Sequence, residues 1–212
     1  MASPSRTIPL MEEDHEAGVR AGSDPIAHFQ ALFARARATE PADATAVALA
    51  TADPSGAPSV RVVLLKAADA EGFVFFTNYE SRKARELDGN PRAALCFYWP
   101  TLGEQVRVEG TVTRVSAAES DAYFITRPRE SQLGAWASRQ SASLGSRAEL
   151  LLRVAGVVAR FAGRTVPRPE SWGGYRLAPQ RIEFWTSREH RLHDRIQYIR
   201  RDAGWSVDRL FP

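Results

Sequence analysis

The chain has 212 residues, of which 44% are hydrophobic and 25% charged, with a formal net charge of +3; these are ordinary proportions for a soluble globular protein, and so mild an excess of cations does not by itself indicate nucleic acid. A single cysteine, Cys96, excludes an intramolecular disulfide framework and disfavours a structural zinc site. No apolar run approaches the ~20 residues that span a bilayer, and the opening Met1-Ala-Ser-Pro-Ser-Arg carries no hydrophobic segment of signal-peptide type, so a cytoplasmic protein is expected.

Residues 1–23 are rich in Ser, Pro, Gly and acidic side chains without periodicity and read as a flexible arm before a single domain over 24–212. Asp24-Pro25 then opens a helix, with Asp as N-cap and Pro at the first position, and Ile26, Phe29, Leu32, Phe33 and Ala36 give it an apolar stripe. Strands are predicted over 46–51, 59–67 and 72–78, followed by a short helix over 81–87 that Gly89-Asn-Pro91 ends. Further strands fall at 92–99 and 105–115, the latter with strict alternation. Capping boxes at Ser116-Ala-Ala-Glu119 and Ser146-Arg-Ala-Glu149 start two helices, the second with a stripe of Leu150, Val154, Val157, Val158 and Phe161. Residues 129–145 read as irregular and 167–174 as a loop. The last strands are predicted at 175–177, 180–186, 191–200 and 205–210. Many short strands at this spacing indicate an antiparallel barrel with peripheral helices, mainly β in class.

Four stretches carry candidate chemistry. Arg61-Val-Val-Leu-Leu-Lys66 is an apolar strand bracketed by two cations, which would face opposite sides unless a bulge intervenes. Ser81-Arg82-Lys83 puts two cations at a helix start, where they oppose the helix dipole unless an anion binds. Arg127, Arg129 and Arg139 fall with Ser131, Gln132, Gln140 and Ser141 in one irregular stretch, the kind that is often functional. After the strand at 182–186 and a polar turn, alternation from residue 191 would put Arg191, His193 and Arg195 on one face, an anion and proton-transfer surface. The competing reading is a solvated edge strand whose charges deter aggregation. The histidines lack metal-ligand spacing, so no metal is expected; His15 and His28 read as surface residues. A barrel with several phosphate-sized cationic sites suits a phosphorylated cofactor and a phosphorylated substrate.

These residues also carry a resemblance. Arg61-Val-Val-Leu-Leu-Lys66, Phe76-Thr-Asn-Tyr-Glu-Ser-Arg-Lys83, Arg127-Pro-Arg-Glu-Ser-Gln-Leu-Gly-Ala-Trp136, Ser138-Arg-Gln-Ser141, Ser171-Trp-Gly-Gly174, Glu183-Phe-Trp185 and Glu189-His-Arg-Leu-His-Asp-Arg195 together resemble the pyridoxine/pyridoxamine 5′-phosphate oxidase family, over about residues 24–212. The resemblance implies an FMN-binding split barrel, active as a homodimer with its sites at the interface. It implies FMN contacts at Arg61, Val62, Val63, Leu64, Leu65, Lys66, Phe76, Thr77, Arg82, Lys83, Gln105, Gln140, Ser141, Trp185 and Arg195. It implies substrate contacts at Lys66, Tyr123, Arg127, Ser131, Arg191, Leu192 and His193, with Arg191 and His193 nearest the chemistry. The implied reaction transfers a hydride from C4′ of a phosphorylated B6 vitamer to FMN, with dioxygen as final acceptor.

One departure stands out: the family's basic-aromatic N-terminal segment is replaced by the acidic Leu10-Met-Glu-Glu-Asp-His-Glu-Ala17. The related FMN oxidases of phenazine biosynthesis are the nearest alternative, and they diverge from the family at the strand lysine and in the Arg-Pro-Arg-Glu-Ser-Gln region, both present here. A non-catalytic flavin or pyridoxal phosphate binder would need no substrate cluster. A nucleic-acid-binding barrel, using arginines and tryptophans as stacking platforms, would lack flavin absorbance.

Overall fold

The computed structural model describes residues 24–212. Helix α1 (Pro25–Thr39) starts where Asp24 accepts a hydrogen bond from the Ile26 N–H at 2.9 Å, and it buries Ile26, Phe29, Leu32 and Ala36. Strands β1 (Ala46–Ala52), β2 (Pro58–Asp69) and β3 (Gly72–Asn78) precede α2 (Arg82–Gly89). Strands β4 (Arg92–Trp99) and β5 (Glu104–Arg114) follow, then α3 (Ala117–Thr126), α4 (Arg129–Ala137) and α5 (Arg147–Arg160), and finally β6 (Trp172–Thr186), β7 (Asp194–Arg201) and β8 (Gly204–Arg209).

All ladders are antiparallel, and the sheet order is β3-β2-β1-β4-β5-β6-β7-β8. A further β3–β6 pairing closes the strands β1 to β6 into a six-stranded barrel, which removes the exposed edges an open sheet would leave. Its interior is filled by alternate residues: Val47 and Leu49, Phe73 and Phe75, Leu95 and Phe97, Val106 and Val108 are all essentially buried. Phe29 of α1 plugs this interior, with ring centroids 4.8 Å from Phe73 and 5.0 Å from Phe97.

The split lies in β6. Its residues 172–177 pair with β3 and residues 181–186 pair with β7, while β5 runs along the other edge of both. Pro179, which has no N–H to donate, falls between the two halves, beside a register shift at Glu109/Gly110. A Cβ on Gly110 would lie 2.0 Å from the Ala178 carbonyl oxygen, so only glycine lets β5 stay close to β6 at this bend. Beside the barrel, α3 to α5 and the start of β6 cover a second apolar cluster of Phe124, Leu133, Phe161, Val166 and Trp172.

Several sequence expectations change here. Residues 129–137, expected to be irregular, form α4, whose Leu133 and Ala137 bury one short stripe; the polar residues and Gly134 around it mask the period. The end of the expected loop, residues 172–174, and the two strands expected after it are one continuous β6. The strand expected to resume at Arg191 begins at Asp194, because Glu189–Arg191 form a 3₁₀ turn in which His190 and Arg191 take φ of 56° and 64°. Alternation therefore does not relate Arg191 to His193. His28 is not a free surface residue: its ring stacks on Phe184 at 4.2 Å and 5°. The expected stripe of α5 is shallow, with Val158 46% exposed and no residue of the helix buried. The 1–23 arm, with its acidic 10–17 stretch, lies outside the described residues. Among those described, no helix is long and apolar enough to cross a membrane.

Candidate active site

A cleft of about 670 Å³ opens between the β2–β3 wall of the barrel and the α3–α4 lobe. Three rings form its aromatic side. Phe76 stacks on Tyr123 at 4.2 Å and 22°, and on Trp172 at 5.3 Å and 9°. Nearly parallel rings of this kind present a flat apolar surface. The cleft is also lined by Val62, Val63, Leu64, Lys66, Thr77, Asn78, Lys83, Thr126, Arg127, Pro128, Ser131, Gly134, Ala135, Ser138 and Gln140.

Its first cationic group comes from α3 and its C-terminal end. The Arg127 guanidinium lies 4.6 Å from the Trp172 ring and 5.5 Å from Phe124, and its buried Nη1 has no hydrogen-bond partner. Burial lowers the Arg127 pKa, with Tyr123 opposing. A buried donor left unpaired is costly, and a ligand oxygen would relieve it. Lys66 stands 5.9 Å from the Tyr123 ring. The β2–β3 ladder shifts register between Leu65 and Ala67, so the bulge allowed by the strand's spacing is present, and Leu65 is buried while Lys66 is exposed.

The second group sits at the start of α2. Ser81 caps the helix by accepting from the Ala84 N–H, and Lys83 in the first turn is buried. The Lys83 ammonium bonds only neutral oxygens: Gln140 Oε1 at 2.9 Å, Thr77 Oγ1 at 3.1 Å and Ser81 Oγ at 3.4 Å. Burial, reinforced by Arg61 and opposed by Glu86, pushes its pKa down to about 8. A buried ammonium held by neutral oxygens at a helix N-terminus is a fitting receptor for a phosphate. Next to it, Glu86 joins Arg61 and Arg82: Arg61 Nη2 lies 3.1 Å from Glu86 Oε2 and Arg82 Nε 2.8 Å from Oε1. Arg61 points to the inner side of β2, where it also donates to the Leu49 carbonyl and to the hydroxyls of Thr51 and Ser59.

The remaining candidates lie elsewhere on the chain. Gln105, Trp185 and Arg195 are successive partners across β5, β6 and β7. Arg195 is held by Glu183 at 3.0 and 3.1 Å and donates to the Phe211 carbonyl at 3.0 Å. The His193 ring lies 4.6 Å from Trp185, and its Nδ1 accepts from the Arg188 N–H at 3.1 Å. Arg191 and Leu192 are exposed on the turn, and Ser141 is exposed with φ 69°. None of these, nor Arg61, Leu65 or Arg82, lines the cleft. Conversely, Asn78, Thr126, Pro128, Gly134, Ala135, Ser138 and Trp172 line it without having been singled out. Trp172 was visible only as part of Ser171-Trp-Gly-Gly174; its role as a wall depends on a pairing with Asn78 of β3 that sequence spacing does not reveal.

A split barrel with two cationic groups beside a flat aromatic wall suits a phosphorylated, planar ligand. Residues 34–161 match the pyridoxamine 5′-phosphate oxidase family, and residues 172–212 match the pyridoxine 5′-phosphate oxidase C-terminal dimerisation region. A pyridoxine/pyridoxamine 5′-phosphate oxidase of Anaeromyxobacter dehalogenans is 65% identical over 91% of this chain and 97% of its own length. One from Rubrobacter xylanophilus is 58% identical over 91% and 88%. Among solved structures, PhzG from Burkholderia lata, in complex with tetrahydrophenazine-1-carboxylic acid, superposes with a TM-score of 0.85 at 33% identity, covering 89% of this chain and 93% of that one. The chain belongs to the pyridoxine/pyridoxamine 5′-phosphate oxidase family and is an oxidoreductase.

Proposed function

We propose that this chain oxidises pyridoxamine 5′-phosphate and pyridoxine 5′-phosphate to pyridoxal 5′-phosphate, with FMN as redox group and dioxygen as acceptor. The observation that carries this reading is the presence in one cleft of two separate anion receptors, Arg127 with its unpartnered Nη1 and Lys83 with its neutral oxygens. One suits the phosphate of the substrate and the other that of FMN. The naming of relatives at 50–65% identity supports the B6 substrates over a phenazine, since PhzG stands at 33%.

In this reading Arg127, Ser131, Tyr123 and Lys66 hold the substrate phosphate by charge-assisted hydrogen bonds. Lys83, Arg61, Arg82, Thr77, Gln140 and Ser141 hold the phosphate end of FMN, while Phe76 and the Val62–Leu65 backbone flank it. FMN, when bound, supplies the two-electron chemistry, taking a hydride from C4′ of the substrate and passing the electrons to dioxygen to give hydrogen peroxide. Arg191 and His193 orient the substrate so that C4′ faces the cofactor. Water then releases ammonia from the oxidised amine.

We further propose a homodimer in which Gln105, Trp185, Arg191, His193 and Arg195 complete the cleft of the partner. Two features support it. These residues lie outside their own chain's cleft, and the outer barrel wall is apolar. Val60 and Val62 are 70% and 66% exposed and pair across the ladder with Ala50 and Ala48, which in turn pair with Ala94 and Cys96. The test of the activity is anaerobic mixing of FMN-loaded protein with pyridoxamine 5′-phosphate. Bleaching of the flavin band, followed by recovery and pyridoxal phosphate formation on admitting air, is the expected result. Bleaching by a dihydrophenazine carboxylate alone would replace this reading with the phenazine one.

A further inference from the structure

Glu86 has no place among the residues assigned so far, yet it is the most heavily bonded carboxylate next to the cleft. Its side chain is 5% exposed. Oε2 accepts from the Ser59 hydroxyl at 2.6 Å, from the Thr51 hydroxyl and from Arg61 Nη2 at 3.1 Å, and Oε1 accepts from Arg82 Nε at 2.8 Å. It is reached from three elements: β1 supplies Thr51, β2 supplies Ser59 and Arg61, and α2 supplies Arg82 and Glu86 itself. A buried carboxylate whose removal would leave several donors unpaired is expensive to lose.

We infer that Glu86 is a positioning residue that locks Arg61 and Arg82 beside Lys83, so that the Lys83 ammonium and the free Nη groups of Arg82 meet an incoming phosphate in a fixed arrangement, while Arg61, whose terminal N–H groups are all engaged, adds its charge from behind. The inference rests on the proposed FMN reading and deepens it. Arg61, Arg82 and Lys83 without Glu86 would form a mutually repelling trio, and the Coulomb effect of Arg61 is already felt at Lys83. With Glu86 in place the cluster carries a net charge of +2, from three cations and one carboxylate, which matches a phosphate dianion. Arg82 alone is 62% exposed and would sample many rotamers; tied by Nε to Glu86, it keeps both terminal Nη groups free. Pre-orienting a cation in this way removes ordering cost from the binding step.

The sign of the effect separates this role from simple charge. If Glu86 were only a nearby negative charge, its removal would strengthen binding of an anion. If it positions the arginines, its removal weakens it. The experiment is fluorescence titration of apoprotein with FMN and with riboflavin, which lacks the phosphate, for the wild type, Glu86→Ala and Glu86→Gln. Glu86→Ala is expected to weaken FMN binding about 10- to 100-fold, the range for impaired charge-assisted contacts, while riboflavin affinity stays within about twofold. Glu86→Gln, whose amide oxygen still accepts one arginine bond, is expected to fall between wild type and Glu86→Ala. Unchanged or tighter FMN binding by Glu86→Ala overturns the inference, and so does an equal loss of FMN and riboflavin, which a merely structural role would produce. A wild type that binds no FMN removes the flavin reading as well; a wild type that binds it beside an unaffected Glu86→Ala removes this inference alone.

Discussion

Lys83 Nζ and Gln140 Oε1 lie 2.9 Å apart although 57 positions separate them in the chain. The contact ties the first turn of α2 to the segment after α4, and it leaves the ammonium surrounded by neutral oxygens. Lys83→Ala is expected to weaken FMN binding by about 1.5–3 kcal/mol, the worth of one charge-assisted contact, or roughly 10- to 150-fold. The pH dependence has a definite sign. In the free protein the Lys83 ammonium loses its proton above about 8, and only the protonated form attracts a phosphate. FMN affinity should therefore be greatest below that pH and fall as pH rises through it, by at most about tenfold per pH unit. Titrations across pH 7 to 10 check this, and Lys83→Ala should flatten the profile.

Arg127 faces the cleft with an unsatisfied buried Nη1. Arg127→Ala should raise KM for pyridoxamine 5′-phosphate by about 10- to 150-fold, corresponding to about 1.5–3 kcal/mol, with little change in FMN affinity. Steady-state kinetics at saturating FMN measure the first, and flavin titration the second. An equal loss of both would mean that the two receptors are not separate.

Arg191 takes a left-handed backbone conformation on an exposed turn, and His193 lies against Trp185. Arg191→Ala is expected to lower kcat/KM by about two orders of magnitude, as a loss of ~3 kcal/mol of transition-state stabilisation would, while FMN binding stays nearly intact. If the turn were only a solvated edge, activity would stay within about twofold.

Val60 is the most exposed residue of the apolar outer wall on β2. Val60→Glu would bury an unpaired charge in a dimer interface built on that wall, at a cost of at least about 2 kcal/mol per dimer contact. Sedimentation velocity should show a shift to monomer, and FMN affinity should fall in parallel because the cleft loses its second half. A variant that stays dimeric would place the interface elsewhere.

Glu86 also shapes acid stability. Burial raises its pKa, but hydrogen bonds from Ser59, Thr51, Arg82 and Arg61 outweigh burial and hold it down at about 2, against 4.5 when unperturbed. A depressed folded pKa contributes stability that is fully present above 4.5 and is lost as pH falls toward 2. Urea midpoints of wild type and Glu86→Gln should therefore differ most near neutral pH and converge as pH drops through that window.

Much of this was legible in the residues themselves. Asp24-Pro25, Ser81, Ser116 and Ser146 each begin a helix where capping chemistry says one should begin, because a cap is satisfied within a few residues. The strand runs were legible for the same reason, since alternation is written locally. Cations at Arg61, Lys66, Arg82, Lys83 and Arg127 stood out as candidate anion receptors, because charge at a strand or helix end asks for a partner. Decisions over long range were not legible. That β3 and β7 share one edge of β6, that Trp172 joins Phe76 and Tyr123, and that Glu86 gathers Arg61 and Arg82 all depend on which strands meet when the barrel closes. Even the local failure at Glu189–Arg191 has this origin: β7 pairs with β6 only from Asp194, so the preceding residues are left to turn through positive φ rather than alternate. The sequence by itself determined most of the elements, the caps and the cations; the tertiary structure alone decided the helix at 129–137, the unbroken run of β6 and which of those cations share a cleft, because packing, strand pairing and barrel closure are set by contacts between residues far apart in the chain.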